Sequence, residues 1–180
     1  MRTSIFCTFV FSAILGCSSS KNIISESHAI HGLMSSDQIV FIAKSANPTV
    51  TQNLNAVANS GLIAPGSSIS RIDLTGTGNY LKIFGDSVSA NLSYYGERQF
   101  GGGYGSATGI EFKGLPENYK QEFSTDKQKY TINFQITDKS DRYTVYMDIF
   151  PDQSGSVFVT MVNRNAIQFN GHIKPLQVEE

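Results

Sequence analysis

Apolar and polar residues alternate along most of the second half of the chain. Within residues 129–138 every second side chain is apolar or aromatic, and residues 142–150 repeat this alternation. Shorter stretches with apolar positions follow at residues 157–161 and 167–173. Successive side chains of a β-strand point to opposite faces of a sheet, so this period of two predicts half-buried strands.

The first half of the chain contains further predicted strands, separated by turn residues. They are predicted at residues 39–43, 69–74, 80–84 and 88–92. The first of them is expected to stop before Asn47-Pro48. Gly85-Asp86 separates the last two, and a leading glycine suits a tight type II′ hairpin. The least patterned stretch, residues 49–68, is predicted to be a loop.

A short helix is predicted before these strands. Residues 23–34 have apolar positions at Ile23, Ile30, Leu33 and Met34, a spacing that fits one apolar helical stripe. Repeated alternation with frequent turns is typical of antiparallel sheets. We therefore predict a mostly β fold: a single antiparallel β-sandwich or barrel-like domain over residues 23–175 with a short N-terminal helix, followed by a solvated tail at residues 176–180.

The first residues predict export and a lipid anchor. Arg2 precedes an apolar run that is too short to span a bilayer, as in a secretory signal. The run ends at Gly16-Cys17, where it resembles the bacterial lipoprotein signal. By that resemblance residues 1–16 are removed, Cys17 is lipidated, and residues 17–22 form a polar tether. An ordinary cleavable signal with an incidental cysteine is the alternative.

Lipidation would tie the protein to the bacterial cell envelope. The residue after Cys17 is a serine, and no acidic residue stands next to the cysteine. In lipoprotein sorting this resembles retention in the outer membrane, facing the periplasm. The membrane is then a partner through the anchor, because several acyl chains hold a protein firmly on a bilayer.

Composition excludes several classes of chemistry. The second cysteine, Cys7, lies inside the predicted signal, so the mature chain would have no thiol for disulfides, nucleophilic catalysis or cysteine-ligated metals. The formal net charge is −1, and removal of Arg2 with the signal leaves −2. Nucleic-acid binding needs a concentrated positive footprint, so we expect no nucleic-acid partner. No cofactor is expected either.

Residues 90–105 form the most unusual stretch of the chain. Three tyrosines, an arginine and a glutamate stand there among five glycines. We predict a ligand-binding site formed by Tyr94, Tyr95, Arg98 and Tyr104, since tyrosine rings and an arginine fork suit sugars, peptides or carboxylates. In the alternative interpretation Tyr94 and Tyr95 continue a strand, one of them facing inwards, and the glycines form a bent connection.

Other polar residues do not assemble into a recognisable catalytic or metal site. His28 and His31 could share a face of a helix, but a catalytic zinc site normally needs three protein ligands. Two aspartate pairs, Asp138/Asp141 and Asp148/Asp152, are interpreted as turn residues that hydrogen-bond their own backbone. We therefore expect no catalytic residues and no metal.

The chain resembles the uncharacterised lipoproteins of Bacteroidetes grouped as domain-of-unknown-function family 4251. The features that carry this resemblance are the lipoprotein signal and a set of short motifs, found at residues 41–48, 79–83, 85–87, 92–96, 109–114 and the strands up to Ile173. The family pattern usually has proline before the paired aromatics, where this chain has Ser93. The resemblance implies a lipid anchor and a compact single domain, and it implies no activity.

Three hypotheses for function remain open. The first is a membrane-anchored, non-enzymatic module that binds a small ligand, a peptide or another envelope protein. The second is a structural envelope lipoprotein. The third is a hydrolase with an unrecognised carboxylate or histidine site, which would need residues such as Asp86, Glu97 and His172 to converge in one cleft.

Overall fold

A computed structural model describes residues 25, 28–51, 66–99, 109–138 and 141–177. These ranges contain one helix and ten strands. In chain order they are α1 (Ala29–Ser35), β1 (Gln38–Pro48), β2 (Ile72–Asp73), β3 (Tyr80–Phe84), β4 (Ser87–Leu92), β5 (Ile110–Gly114), β6 (Glu117–Ser124), β7 (Lys129–Asp138), β8 (Asp141–Ile149), β9 (Ser154–Met161) and β10 (Ile167–Pro175).

Nine of the strands form one curled antiparallel sheet in the order β5-β4-β3-β1-β10-β9-β8-β7-β6, and β2 pairs with β1 outside this order. The sheet curls into a half-barrel. Its curvature brings β5 near β7 and β8: the Phe112 ring lies 6.1 Å from that of Phe134 and 5.3 Å from that of Tyr143. The prediction of a mostly β, barrel-like antiparallel domain with a short helix is therefore confirmed.

The core lies on the inner face of the sheet, where the alternating residues meet. Phe41, Phe134 and Phe169 are among the largest fully buried side chains. Apolar residues of β7 and β8 are paired in register across the two strands, so their inward positions coincide. Burial of this apolar surface is the main stabilising contribution to such a domain.

The β3–β4 hairpin forms as the turn residues predict. Tyr80 pairs with Asn91 and Phe84 with Ser87, and Gly85 has a φ of +58°. A type II′ turn has a positive φ at its first central residue, here Gly85, and a negative φ at its second, here Asp86. Glycine adopts the positive φ without steric cost.

Several predicted boundaries differ from the structure. The helix begins at Ala29, where His28 caps it: the His28 Nδ1 accepts a hydrogen bond from the Ile30 N–H at 3.2 Å, and the predicted start at residue 23 lies outside the described residues. β1 continues through Pro48, which pairs with Ile167. The strand predicted at residues 69–74 is reduced to the two residues of β2.

Two strands, β5 and β6, were not predicted. In β6 the inward positions are held by Tyr119, Gln121 and Phe123, and most of the strand is polar, so its alternation is weak. At the C-terminus, Leu176 is half-buried and donates its backbone N–H to the Gln38 carbonyl at 2.9 Å. The predicted tail therefore starts with a residue that is bonded to the sheet.

α1 covers one end of the half-barrel. Ile30 and Met34, four residues apart on one helical face, are each 1% exposed. The His31 Nδ1 lies 2.7 Å from the Tyr130 hydroxyl, and its ring meets the Phe123 ring edge-on at 4.9 Å. Within the described ranges, no helix has the length and apolarity needed to cross a membrane.

Candidate functional site

The segment of residues 93–99, called the tyrosine loop below, leaves the sheet at the end of β4. The backbone N–H of Ser93 donates to the Asn79 Oδ1 at 2.5 Å, and the Asn79 amide in turn donates to the Thr77 Oγ1 at 2.6 Å. Asn79 is only 3% exposed. A proline at position 93 has no N–H to make this bond, so here a side-chain hydrogen bond holds the start of the loop.

Tyr94 turns inwards from this loop. Its hydroxyl lies 2.9 Å from both the Glu97 and the Asn165 carbonyl oxygens, which share its single O–H donor. Burial raises the pKa of the Tyr94 phenol, and the nearby Arg164 guanidinium opposes that increase. The ring folds back over Gly96, where any Cβ would overlap the Tyr94 hydroxyl. Position 96 must therefore be glycine for this ring position.

Arg164 is buried beneath the loop with its charge satisfied by several groups. Its side chain is 1% exposed, and it donates to the Gly109 carbonyl at 2.6 Å and to the Asp141 carboxylate at 2.7 Å. The guanidinium also stands 5.4 Å from the centre of the Tyr94 ring, within cation–π range. Its Nε has no hydrogen-bond partner among the described residues.

Tyr143 completes this group. Its hydroxyl lies 3.4 Å from the Asp141 carboxylate, and burial, followed by the negative charge of Asp141, raises the pKa of Tyr143 to about 12. We call Tyr94, Asp141, Tyr143 and Arg164 the arginine cluster. A buried charge needs a partner and further hydrogen bonds; Asp141 supplies the partner and the Gly109 carbonyl a further bond to Arg164.

Backbone bonds join the tyrosine loop to the segment that carries Arg164. The Gln99 N–H donates to the Asn163 carbonyl at 2.9 Å, and the Asn165 N–H donates to the Glu97 carbonyl at 3.1 Å. Arg98 forms a β-bridge with Arg164. The loop therefore has a defined backbone, held from both sides.

The four predicted binding residues do not share one environment. Tyr94 packs against the core, Tyr95 is 37% exposed, and Arg98 is half-buried. Tyr104 lies outside the described residues, as does the predicted lipidation site Cys17. In the alternative interpretation one of the two tyrosines faces inwards, as Tyr94 does here, and the other faces outwards. The strand itself, however, ends at Leu92.

The aspartate pairs are not all turn residues. Asp152 is one, since its carboxylate accepts from the Ser154 N–H at 2.9 Å. Asp148 instead lies within β8 and pairs with Lys129 at 2.5 Å. Asp141 stands at the start of β8, beside turn residues 139–140 that lie outside the described residues, and its carboxylate binds Arg164. Neither Arg164 nor Asn79 was singled out from the sequence, because nothing in their local pattern marks them as buried.

The residues considered for catalysis or metal binding lie apart. Asp86 is in the β3–β4 turn, Glu97 accepts from the Thr51 hydroxyl beside the tyrosine loop, and His172 is on the outer face of β10. His28 caps α1 while His31 contacts Tyr130, so they do not face one point. Among the residues that the structure describes, no three His, Cys, Asp or Glu side chains are grouped to hold a metal ion.

Comparison with known protein families gives one match. A model of the family described as Domain of unknown function (DUF4251) covers residues 22–173. The chain belongs to this family. The match to the DUF4251 domain spans both α1 and the whole sheet nearly to the end of β10, so the family and the half-barrel coincide. No curated protein matches the chain.

Proposed function

We propose that this DUF4251 protein is a lipoprotein of the bacterial cell envelope whose β domain is a non-enzymatic binding module. The anchor is Cys17, and the protein is held on the outer membrane facing the periplasm. Support for the anchor comes from the sequence: a short apolar run closes with Gly16-Cys17 and is followed by small polar residues. The partner is a small ligand, a peptide or another envelope protein.

The observation that carries the binding role is the fixed backbone of the tyrosine loop. Tyr94 is bonded inside, while the next residue, Tyr95, stays exposed. A loop that is already ordered loses little conformational entropy on binding, so its contacts contribute more to affinity. Exposed tyrosine beside arginine is a common composition of protein contact sites, because both offer large surfaces with hydrogen-bonding groups.

Cross-linking in the envelope tests the binding site. The double variant Tyr95→Ala/Arg98→Ala should lose recovery of partners that the unchanged chain captures, with its urea unfolding midpoint nearly unchanged. A matched control is Tyr146→Ala/Arg71→Ala, which removes an exposed tyrosine and an exposed arginine elsewhere on the domain. If both double variants recover the same partners as the unchanged chain, the tyrosine loop is not the site and a structural role is favoured.

The anchor has its own test. Metabolic labelling with a fatty acid should mark the unchanged chain and not the Cys17→Ser variant, and only the labelled protein should partition into a detergent phase. Labelling that persists after Cys17→Ser would contradict lipidation at this residue. A chain that is secreted without label would favour an ordinary cleavable signal.

A further inference from the structure

The outer face of the sheet carries lysines in a row across five neighbouring strands. Lys113 of β5 is paired with Ser89 of β4, which is paired with Lys82 of β3. Val40 of β1 is paired with Lys82 on one side and with Lys174 of β10 on the other. Neighbouring strands are about 4.8 Å apart, so consecutive lysines of this lysine row have backbones roughly 10 Å apart.

All three lysines face away from the core. Their immediate neighbours along the strands, Phe112, Leu81, Ile83 and Ile173, are at most 3% exposed and point inwards. Side chains of a strand alternate between faces, so Lys113, Lys82 and Lys174 point out. The ion pairs of the described residues involve other side chains, so none of the three lysines is in a direct ion pair with a described carboxylate.

The surroundings of the row add positive charge and an apolar surface. Lys44 and Lys174 both lower the pKa of His172 on this face, after the larger effect of burial. Shallow grooves border Lys82 on its two sides, and one of them is floored by Val40 and Ile42. Two carboxylates, those of Glu111 and Asp138, line the groove between Lys82 and Lys113. Among the described residues that line the other groove, beside Lys174, none is acidic, so positive charge predominates on that side of the row in a chain whose net charge is −1.

We propose that the lysine row docks the domain onto the anionic phosphate headgroups of the membrane in which the chain is anchored. This inference rests on the proposed lipid anchor. Lysine is a flexible point charge without the fixed fork of arginine, which suits a diffuse layer of phosphates better than one shaped ligand. A row on the outside of a sheet likewise meets an extended surface more readily than a small molecule.

The position of the row relative to the anchor favours the membrane as the occupant. Val40 is two residues from the start of β1, and β1 follows α1 directly, so the row lies where the chain enters the sheet. From Cys17 to Ser25 is 25 − 17 = 8 residue steps. Eight residues reach at most about 29 Å, so the anchor keeps this end of the domain close to the bilayer.

Vesicle flotation with the full chain carrying Cys17→Ser tests docking without the lipid. Anionic vesicles of phosphatidylcholine mixed with phosphatidylglycerol are compared with vesicles of phosphatidylcholine alone. Binding to the phosphatidylcholine vesicles measures how much the apolar N-terminal run contributes to membrane binding. The row variant is Lys113→Gln/Lys174→Gln. The control is Lys120→Gln/Lys127→Gln, which removes the same charge from two exposed lysines of β6 and the β6–β7 turn.

The unchanged chain should prefer the anionic vesicles, and added salt should weaken that preference. Each lysine near an anionic surface contributes about 1 kcal/mol, so the row variant should bind on the order of 30-fold more weakly and the control should bind nearly as the unchanged chain. Equal losses in the two variants would overturn the role of the row. Equal binding to both vesicles would overturn docking, and so would binding to polyphosphate in solution without binding to vesicles.

These outcomes are separate from those of the labelling experiment. If the chain is not labelled but still prefers anionic vesicles, the lipid anchor is excluded and the lysine row remains an anion-binding face. That result overturns the proposal that the row docks onto the membrane in which the chain is anchored. Successful labelling without vesicle preference removes docking alone.

Discussion

The two ends of the half-barrel are closed by different chemistry. At the start of β1 the cover is apolar: α1 inserts Ile30 and Met34, each 1% exposed. Near the end of β1 the cover is the arginine cluster, in which Arg164 is buried against Asp141 and Tyr94. The stability of the first end thus depends on the burial of apolar surface, and the stability of the second end depends on matched charges and hydrogen bonds.

This difference explains which end can present a defined loop. Apolar contacts are not directional, so burial of Ile30 and Met34 does not by itself orient an exposed loop at that end. Hydrogen bonds and ion pairs have narrow geometry, so the arginine cluster fixes the tyrosine loop to Asn163 and Asn165. The end that carries buried charge is therefore also the end that carries the candidate binding residue Tyr95.

The largest effect is expected from breaking the ion pair of the arginine cluster. Arg164→Met should lower the free energy of unfolding by about 3–5 kcal/mol, because Asp141 would remain largely buried without a partner. In the double variant Arg164→Met/Asp141→Leu most of this loss should disappear, since no uncompensated charge is left. Urea unfolding of the three proteins measures both values, and a double variant as unstable as the single one would contradict this account.

A smaller loss is expected at the apolar end. Met34→Ala should lower the free energy of unfolding by about 3 kcal/mol, the transfer and cavity contribution of a buried methionine. Ser35→Ala, at the exposed last position of α1, is the control and should change it by less than about 0.5 kcal/mol. Unlike the loss at Arg164, the Met34 loss should not depend on salt concentration in urea titrations.

Alkaline pH tests a buried phenol at each end, and Tyr143 is the one in the arginine cluster. Its pKa is raised to about 12 in the folded protein, against about 10 when unfolded. The unfolded chain therefore loses this proton first, so the stabilisation is complete below pH 10 and is lost as pH rises from 10 to about 12. We expect a loss of roughly 2 kcal/mol over that interval.

Tyr143→Phe should reduce this part of the alkaline loss in urea unfolding followed from pH 9 to pH 12. Tyr119, near α1, has its pKa raised to about 12 as well, with burial as the main cause. Tyr119→Phe is therefore the matching variant at the apolar end. If neither variant changes the alkaline slope, the phenols are not the source of it.

The smallest effect is expected from Tyr94→Phe. The ring stays over Gly96 and Arg164 while the bonds to the Glu97 and Asn165 carbonyls are lost, at a cost of about 1 kcal/mol. Hydrogen exchange should show the consequence more clearly, as faster exchange of the Gln99 amide. Tyr146→Phe, on the outer face of β8, is the control and should leave that amide unchanged.

Much of the sheet could be predicted from the sequence, because alternation is a local property. β7, β8 and the β3–β4 hairpin appear nearly at their predicted positions. β6 was missed because its inward positions include a glutamine, and β2 was overestimated because Arg71 bridges Ser68 and only Ile72 and Asp73 pair with β1. In these two cases the pairing observed in the structure is not marked by alternation in the strand's own sequence.

In the candidate site, too, some features could be predicted from the local sequence and others depend on contacts between distant residues. Composition alone singled out residues 90–105, and Tyr95 is exposed there as a binding role requires. That Tyr94 is instead a positioning residue follows from its bonds to Glu97 and Asn165 and from Arg164, which is distant in the chain.

The sequence by itself determined the fold class, the hairpin at Gly85 and the family, since alternation, a positive-φ glycine and short motifs are all readable in order along the chain. Only the tertiary structure decided how the sheet curls, that Arg164 is buried, and that Lys82, Lys113 and Lys174 stand in one row. The physical reason is that register and burial depend on pairing between strands far apart in the chain, such as Ile39 with Pro175 (175 − 39 = 136 residues), and no local pattern encodes which strand becomes the neighbour.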